Sequence, residues 1–249
     1  MGQLIELEGG GPAAYVAEPP GDVRGGLVVI HEIWGLVDHI TDVADRLGQQ
    51  GYVAIAPDLL SGIGISPEVG QEMMRIRTMG SAEERTRFQP MLREKMAPMQ
   101  APEFAQGAVA ALRRSVDQLA GRPEVADRIG VIGFCFGGSY SFALAAADQR
   151  IRAAVPFYGS PDLEELSKIN CPVLAFYGDQ DTRLTAGLPE VERAMSAADV
   201  DFTAHVYPGV GHAFFNDSSP FTYDAATATD AWNRTLAFLD RSIATATSE

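Results

Sequence analysis

Gly133-Phe134-Cys135-Phe136-Gly137-Gly138 follows the apolar run Ile129–Ile132 and precedes the small, apolar segment Ser139–Ala147. That order predicts a strand, a sharp turn and a helix, with a thiol at the apex. It is the nucleophile-elbow pattern with cysteine where serine is usual. Glycines two before and two after Cys135 leave room for a turn that a Cβ would obstruct. The sulfur is then set at a helix N-terminus, whose partial positive charge favours thiolate. The competing reading is a Gly-rich turn that merely contains a buried cysteine, so the test is whether an acid and a histidine follow.

They do, each after a predicted strand. Val173–Tyr177 runs into Gly178-Asp179-Gln180-Asp181, and Phe202–Val206 leads to Pro208-Gly209-Val210-Gly211-His212. Nucleophile, acid and histidine in this order match the α/β-hydrolase arrangement, unlike chymotrypsin or subtilisin. Both partners lie just past strands, at the C-terminal sheet edge where open α/β sheets place their sites. The expected triad is Cys135, Asp181 and His212, with Asp179 the competing acid.

The rest of the chain fits that frame. Residues 3–8 and 12–17 read as a hairpin across Gly9–Gly11, and 26–30 as the first fully buried strand. Ile40, Val43, Ala44 and Leu47 recur at helical spacing, and 53–56 is strand again. Such alternation predicts an α/β fold with a mostly parallel sheet and helices on both faces. Ala105, Val109, Leu112, Val116 and Leu119 mark a helix before the elbow, 153–157 a strand after it, and 188–197 a further helix. Trp232, Leu236, Leu239 and Ile243 mark a closing one. Residues 244–249 have a tail-like composition. The expected organisation is a single domain over 1–249 with an insertion at about 60–103. The insertion holds six of the eight methionines and Arg75, Arg77, Arg85, Arg87 and Arg93, with helices expected at 67–78 and 81–88. It reads either as a lid or pocket wall, or as a peripheral excursion whose methionines fill gaps.

Nineteen basic against 33 acidic residues give a net charge of −14, which argues against a nucleic-acid footprint. A polybasic membrane patch, a signal peptide and a membrane span are likewise not expected, leaving a cytoplasmic protein, monomeric or a small homo-oligomer. Two cysteines make no disulfide framework. Cys171 opens the strand at 173, roughly 20 Å from the elbow edge, and reads as a small core residue. His31 and His205 are expected to orient or pack, and His39 to lie on a helix surface.

His31-Glu32-Ile33-Trp34-Gly35 stands right after the first buried strand. A zinc-protease motif would need histidine where Gly35 is, so no metal is expected. In an α/β-hydrolase this loop lies against the elbow and gives one oxyanion N–H, the other coming from the residue after the nucleophile. Here those donors are Ile33 and Phe136.

His-Glu-Ile-Trp-Gly, Gly-Phe-Cys-Phe-Gly-Gly and Gly-His-Ala-Phe together resemble the dienelactone hydrolase (carboxymethylenebutenolidase) family over almost the whole chain. The resemblance implies an α/β-hydrolase fold and a cofactor-independent hydrolase opening an enol-lactone or similarly activated small-molecule ester through a thioester. A broad carboxylesterase or thioesterase, and a non-catalytic ligand-binding relative, are the alternatives. It further implies that Glu32 engages the resting thiol and assists its activation, and that Tyr158 lines the pocket. It favours Asp181 over Asp179. Trp34 and Phe214 join the expected substrate wall. One departure stands out: where the dienelactone enzyme itself has a carboxylate-gripping arginine four residues after the catalytic histidine, this chain has Asn216. An arginine of the insertion is the remaining candidate for that grip.

Overall fold

A computed structural model describes residues 2–244; Met1 and residues 245–249, and with them nearly all of the tail-like segment, lie outside the described residues. Eight strands form one sheet in the order β1-β2-β4-β3-β5-β6-β7-β8. Strands β1 (Gln3–Glu6) and β2 (Ala13–Ala17) form the expected antiparallel hairpin, and β2 also runs antiparallel to β4 (Tyr52–Pro57). From β4 through β3 (Gly25–Ile30), β5 (Ile129–Phe134), β6 (Ile151–Phe157), β7 (Val173–Gly178) and β8 (Phe202–Tyr207), every pairing is parallel. Strands β3, β4, β5 and β7 are buried at every position, which is why they read as unbroken apolar runs rather than alternations.

Helices cover the sheet: α1 (Asp38–Gln49), α4 (Pro102–Ala120), α5 (Phe136–Ala147), α6 (Thr182–Ala197) and α7 (Ala225–Leu239). The insertion forms α2 (Pro67–Met79) and α3 (Ala82–Met96). Helix α2 starts at Ser66, whose hydroxyl accepts from the Val69 N–H. Helix α3 starts with a capping box between Ser81 and Glu84. It runs eight residues past the expected end, through Pro90, and buries only Phe88. So exposed a helix has little apolar periodicity, and its length could not be read from pattern.

The insertion has a small core of its own. Leu60, Ile65, Met73 and Phe88 cluster there, with Leu92, Met96 and Met99 beside them, against Trp34 and Phe136. A Cβ on Gly70 of α2 would strike the Trp34 carbonyl, so this helix lies directly on the 31–35 loop. Met73, Met96 and Met99 thus pack in the seam between the insertion and the 31–35 loop, while Met79 and Met91 are exposed.

At the elbow, Cys135 takes φ +56° and ψ −111°, outside the basins open to L-residues without strain. A Cβ on Gly133 would meet the Gly137 carbonyl, and one on Gly137 would meet that of Ile30, both well inside van der Waals contact. Because the obstacle at Gly137 is backbone of the central strand, it cannot rotate away. Gly137→Ala is expected to destabilise the fold by about 3 kcal/mol, measured by urea unfolding.

Candidate active site

Strand ends bring the candidate residues together. Cys135 follows β5, the 31–35 loop follows β3, Tyr158 follows β6, Asp181 follows β7, and His212 lies in the loop after β8. All are at the C-terminal edge of the parallel sheet, where diverging loops leave a crevice.

His212 Nδ1 lies 2.5 Å from Asp181 Oδ2. The Asp181 side chain is largely enclosed while that of His212 is partly open. Asp179 is engaged elsewhere: its Oδ1 accepts from the Gly209 N–H and from the Gln180 amide. Helix α6 begins at Thr182, six residues earlier than its apolar spacing predicts, which holds Asp181 at the helix entrance.

The half-buried Cys135 sulfur faces the backbone N–H groups of Phe136 and Ile33, both of which pull its pKa down. They are outweighed. Burial first, and the Glu32 carboxylate second, push the thiol up to about 12. The amides at the helix N-terminus act in the direction the sequence predicts, but desolvation and an adjacent anion oppose ionisation of the sulfur more strongly than the amides support it. Among the described residues, the imidazole is not a hydrogen-bond partner of this thiol. Tyr158 packs against the imidazole, with its ring centroid 4.9 Å from that of His212.

Glu32 is 2% exposed. A carboxylate so enclosed needs donors. Asn216 Nδ2 donates to Oε2 at 2.5 Å, and the Tyr158 hydroxyl approaches Oε1 at 3.4 Å. Burial first, and the Glu32 charge second, hold the Tyr158 pKa well up, so its hydroxyl keeps its proton. Asn216 is itself buried and its amide also touches Met74 Sδ. The departure at this position therefore has an internal consequence: a neutral amide, not a guanidinium, tethers Glu32. Nothing local in the sequence marks that contact, which spans 184 positions.

A pocket of about 520 Å³ opens on this cluster; Glu32, Trp34, His212 and Asn216 line it together with Arg77 and Arg85 of the insertion. Phe221, a large exposed aromatic at its edge, escaped the sequence reading because the 213–224 loop has no periodic pattern. Phe214 is displaced from its expected role. It is fully buried, packed edge-on under Tyr158 and against Tyr207, and supports the wall from behind. His39 is also corrected: it is buried between Phe134 and Phe215, with Nδ1 3.1 Å from Asp217. His31 is a buried brace, with Nδ1 on the Glu32 carbonyl and Nε2 accepting from the Leu59 N–H. His205 stacks on Phe176, and Cys171 is a buried free thiol.

The sequence profile of the dienelactone hydrolase family matches residues 13–243. The chain belongs to that family. A candidate carboxymethylenebutenolidase of Saccharolobus solfataricus is 30% identical over 252 residues, covering 96% of this chain and 97% of the relative. Protein Usf of Aquifex pyrophilus is 31% identical, again over 96% of this chain and 97% of the relative. The crystal structure of a candidate dienelactone hydrolase of Klebsiella pneumoniae superposes with a TM-score of 0.80 at 27% identity, covering 97% and 98% of the two chains. An acylaminoacyl peptidase of Pyrococcus horikoshii, 9% identical with a TM-score of 0.67, shares the α/β-hydrolase fold. This dienelactone hydrolase relative is therefore a hydrolase of that type on an α/β-hydrolase scaffold. Among the described residues no helix is long and apolar enough to cross a membrane, and no group of three or more His, Cys, Asp or Glu side chains is arranged to hold a metal ion.

Proposed function

We propose that this protein cleaves an enol-lactone or similarly activated carboxylic ester, with Cys135 as nucleophile and a thioester intermediate. The reading is carried by the Asp181–His212 pair, which follows strands ending at the same sheet edge as a thiol on a strained turn facing two backbone N–H groups. A ligand-binding relative has no use for a strained turn that presents sulfur to paired amides.

In the resting state the sulfur is protonated, which protects it from adventitious oxidation and alkylation. When the substrate carbonyl enters, its oxygen takes the Ile33 and Phe136 N–H groups, each contributing about 10²–10³ in rate. His212 accepts the thiol proton as the sulfur–carbon bond forms, and Asp181 holds the imidazole in the right orientation. The acyl–oxygen bond then breaks, the imidazolium returns its proton to the leaving oxygen, and a thioester remains. Water activated by neutral His212 hydrolyses it and restores the thiol. Glu32 acts on the first step. Its carboxylate keeps the empty site protonated, and it gives the imidazolium a second anionic neighbour once charge separates. No cofactor enters the scheme.

With Asn216 tied to Glu32, recognition of a substrate carboxylate passes to the arginines on the opposite wall. Arg77 has no ion-pair partner among the described residues, whereas Arg85 donates to the Gly80 carbonyl. The test compares mono-p-nitrophenyl succinate with p-nitrophenyl butyrate. The wild-type protein is expected to prefer the succinyl ester in kcat/KM, and Arg77→Gln to lower that preference about tenfold. Equal rates on both esters in the wild type would remove the carboxylate from the reading. No turnover of any activated ester would remove the hydrolase mechanism itself.

A further inference from the structure

Arg77 and Arg85 line two cavities rather than one. On one side is the pocket of Glu32 and His212, and on the other a larger cavity of about 650 Å³ along the face of α3. Phe88, Leu92 and Met96 give the second cavity an apolar floor, and Arg93 adds a third guanidinium. These are the same three apolar residues that join the core of the insertion, so the floor is anchored to the body of the molecule through Trp34 and Phe136. No acidic residue lines this cavity.

The state of the cations is informative. Arg75, on another face of α2, is neutralised by Glu72 at 2.7 Å, and Lys95 donates to the Gly64 carbonyl. Arg77 and Arg93 are exposed and have no ion-pair partner among the described residues. A chain of net charge −14 thus directs uncompensated guanidinium groups at one apolar-floored cavity beside its reactive centre. Arginine in this setting suits bidentate capture of a carboxylate or phosphate, while the floor covers a hydrocarbon arm.

We propose that the outer cavity extends the substrate site and takes an apolar arm ending in an anionic group, with Arg93 holding the far anion. This rests on the hydrolase reading above. Substrates short enough to end at Arg77 do not use Arg93; longer ones do. The acyl class is therefore a medium-length chain bearing a terminal carboxylate or phosphate, beyond the single near carboxylate that Arg77 can meet.

The experiment measures kcat/KM for mono-p-nitrophenyl suberate, its methyl-terminated counterpart p-nitrophenyl octanoate, and mono-p-nitrophenyl succinate, in wild type, Arg93→Gln and Arg93→Lys. Arg93→Gln is expected to lower turnover of the suberyl ester about tenfold, to change the octanoyl and succinyl esters less than twofold, and to be partly rescued in Arg93→Lys. A suberyl rate that does not move, or octanoyl and suberyl rates that fall together, would overturn the extension. Calorimetric binding of suberate to Cys135→Ala, with and without Arg93→Gln, separates this inference from the chemistry. Arg93-dependent binding supports the outer cavity even if no ester is hydrolysed. Binding indifferent to Arg93 ends the proposal even if the hydrolase mechanism stands. A phosphate-terminated alkyl ligand in the same titration distinguishes the two anions.

Discussion

Cys135→Ala is expected to lower turnover of p-nitrophenyl acetate by about 10⁴-fold or more, leaving only what the oxyanion donors and binding supply. The change removes one sulfur from a half-buried position and relieves no contact the fold depends on, so the unfolding midpoint should stay near that of the wild type. Cys135→Ser is the more discriminating substitution. The hydroxyl fits the elbow, yet its proton is harder to remove than that of a thiol, and it meets the same buried surroundings and the same Glu32 charge. A loss of about 10²-fold or more is expected in steady-state assays. Serine turning over at the cysteine rate would mean that the surroundings are not tuned to sulfur.

Glu32→Gln is expected to have two effects of opposite sign. After burial, the Glu32 carboxylate is the largest influence holding the Cys135 thiol up at about 12. Removing that charge lowers the thiol pKa, so iodoacetamide should label Cys135 faster at neutral pH, while Cys171, which is raised by burial alone, is unaffected. Ester turnover should fall at the same time, by about tenfold, because the imidazolium formed in the first step loses an anionic neighbour. If labelling and turnover both rose, Glu32 would be a brake on the nucleophile and nothing more. The pH dependence has a definite sign. A thiol raised in the folded protein binds its proton more tightly than in the unfolded chain. Its contribution to stability is complete below the ordinary thiol value of 9.0 and is lost as pH climbs toward about 12. Labelling of the resting wild-type protein should accordingly keep rising beyond pH 9 instead of levelling there.

The sheet and the elbow are legible because the physics that forms them is local in sequence. Strands buried on both faces must be apolar throughout, as in β3 and β5, and the approach of Gly137 to the Ile30 carbonyl admits no side chain. The acid and histidine follow from chain order and strand ends. What could not be read depends on convergence between distant segments. Asn216 looks like a missing cation in sequence, and only the fold shows its amide on Glu32. Phe214 sits two residues from His212, but the positive φ of Ala213 turns the intervening chain, and the ring ends in the core. His39 has polar neighbours along α1, but the 213–219 loop covers it, with Phe215 and Asp217 against its ring. The thiolate-favouring helix N-terminus is visible in sequence, whereas the burial that outweighs it is not.

Acyl transfer to Cys135 is tested most directly by quenching the protein in acid during turnover of p-nitrophenyl acetate and mapping the adduct by peptide mass spectrometry. One acetyl group is expected on the peptide containing Cys135, labile to hydroxylamine as a thioester is, and absent in Cys135→Ala. An acetyl group on another residue, or steady turnover with Cys135 unmodified in a His212→Ala variant slowed at deacylation, would contradict the account.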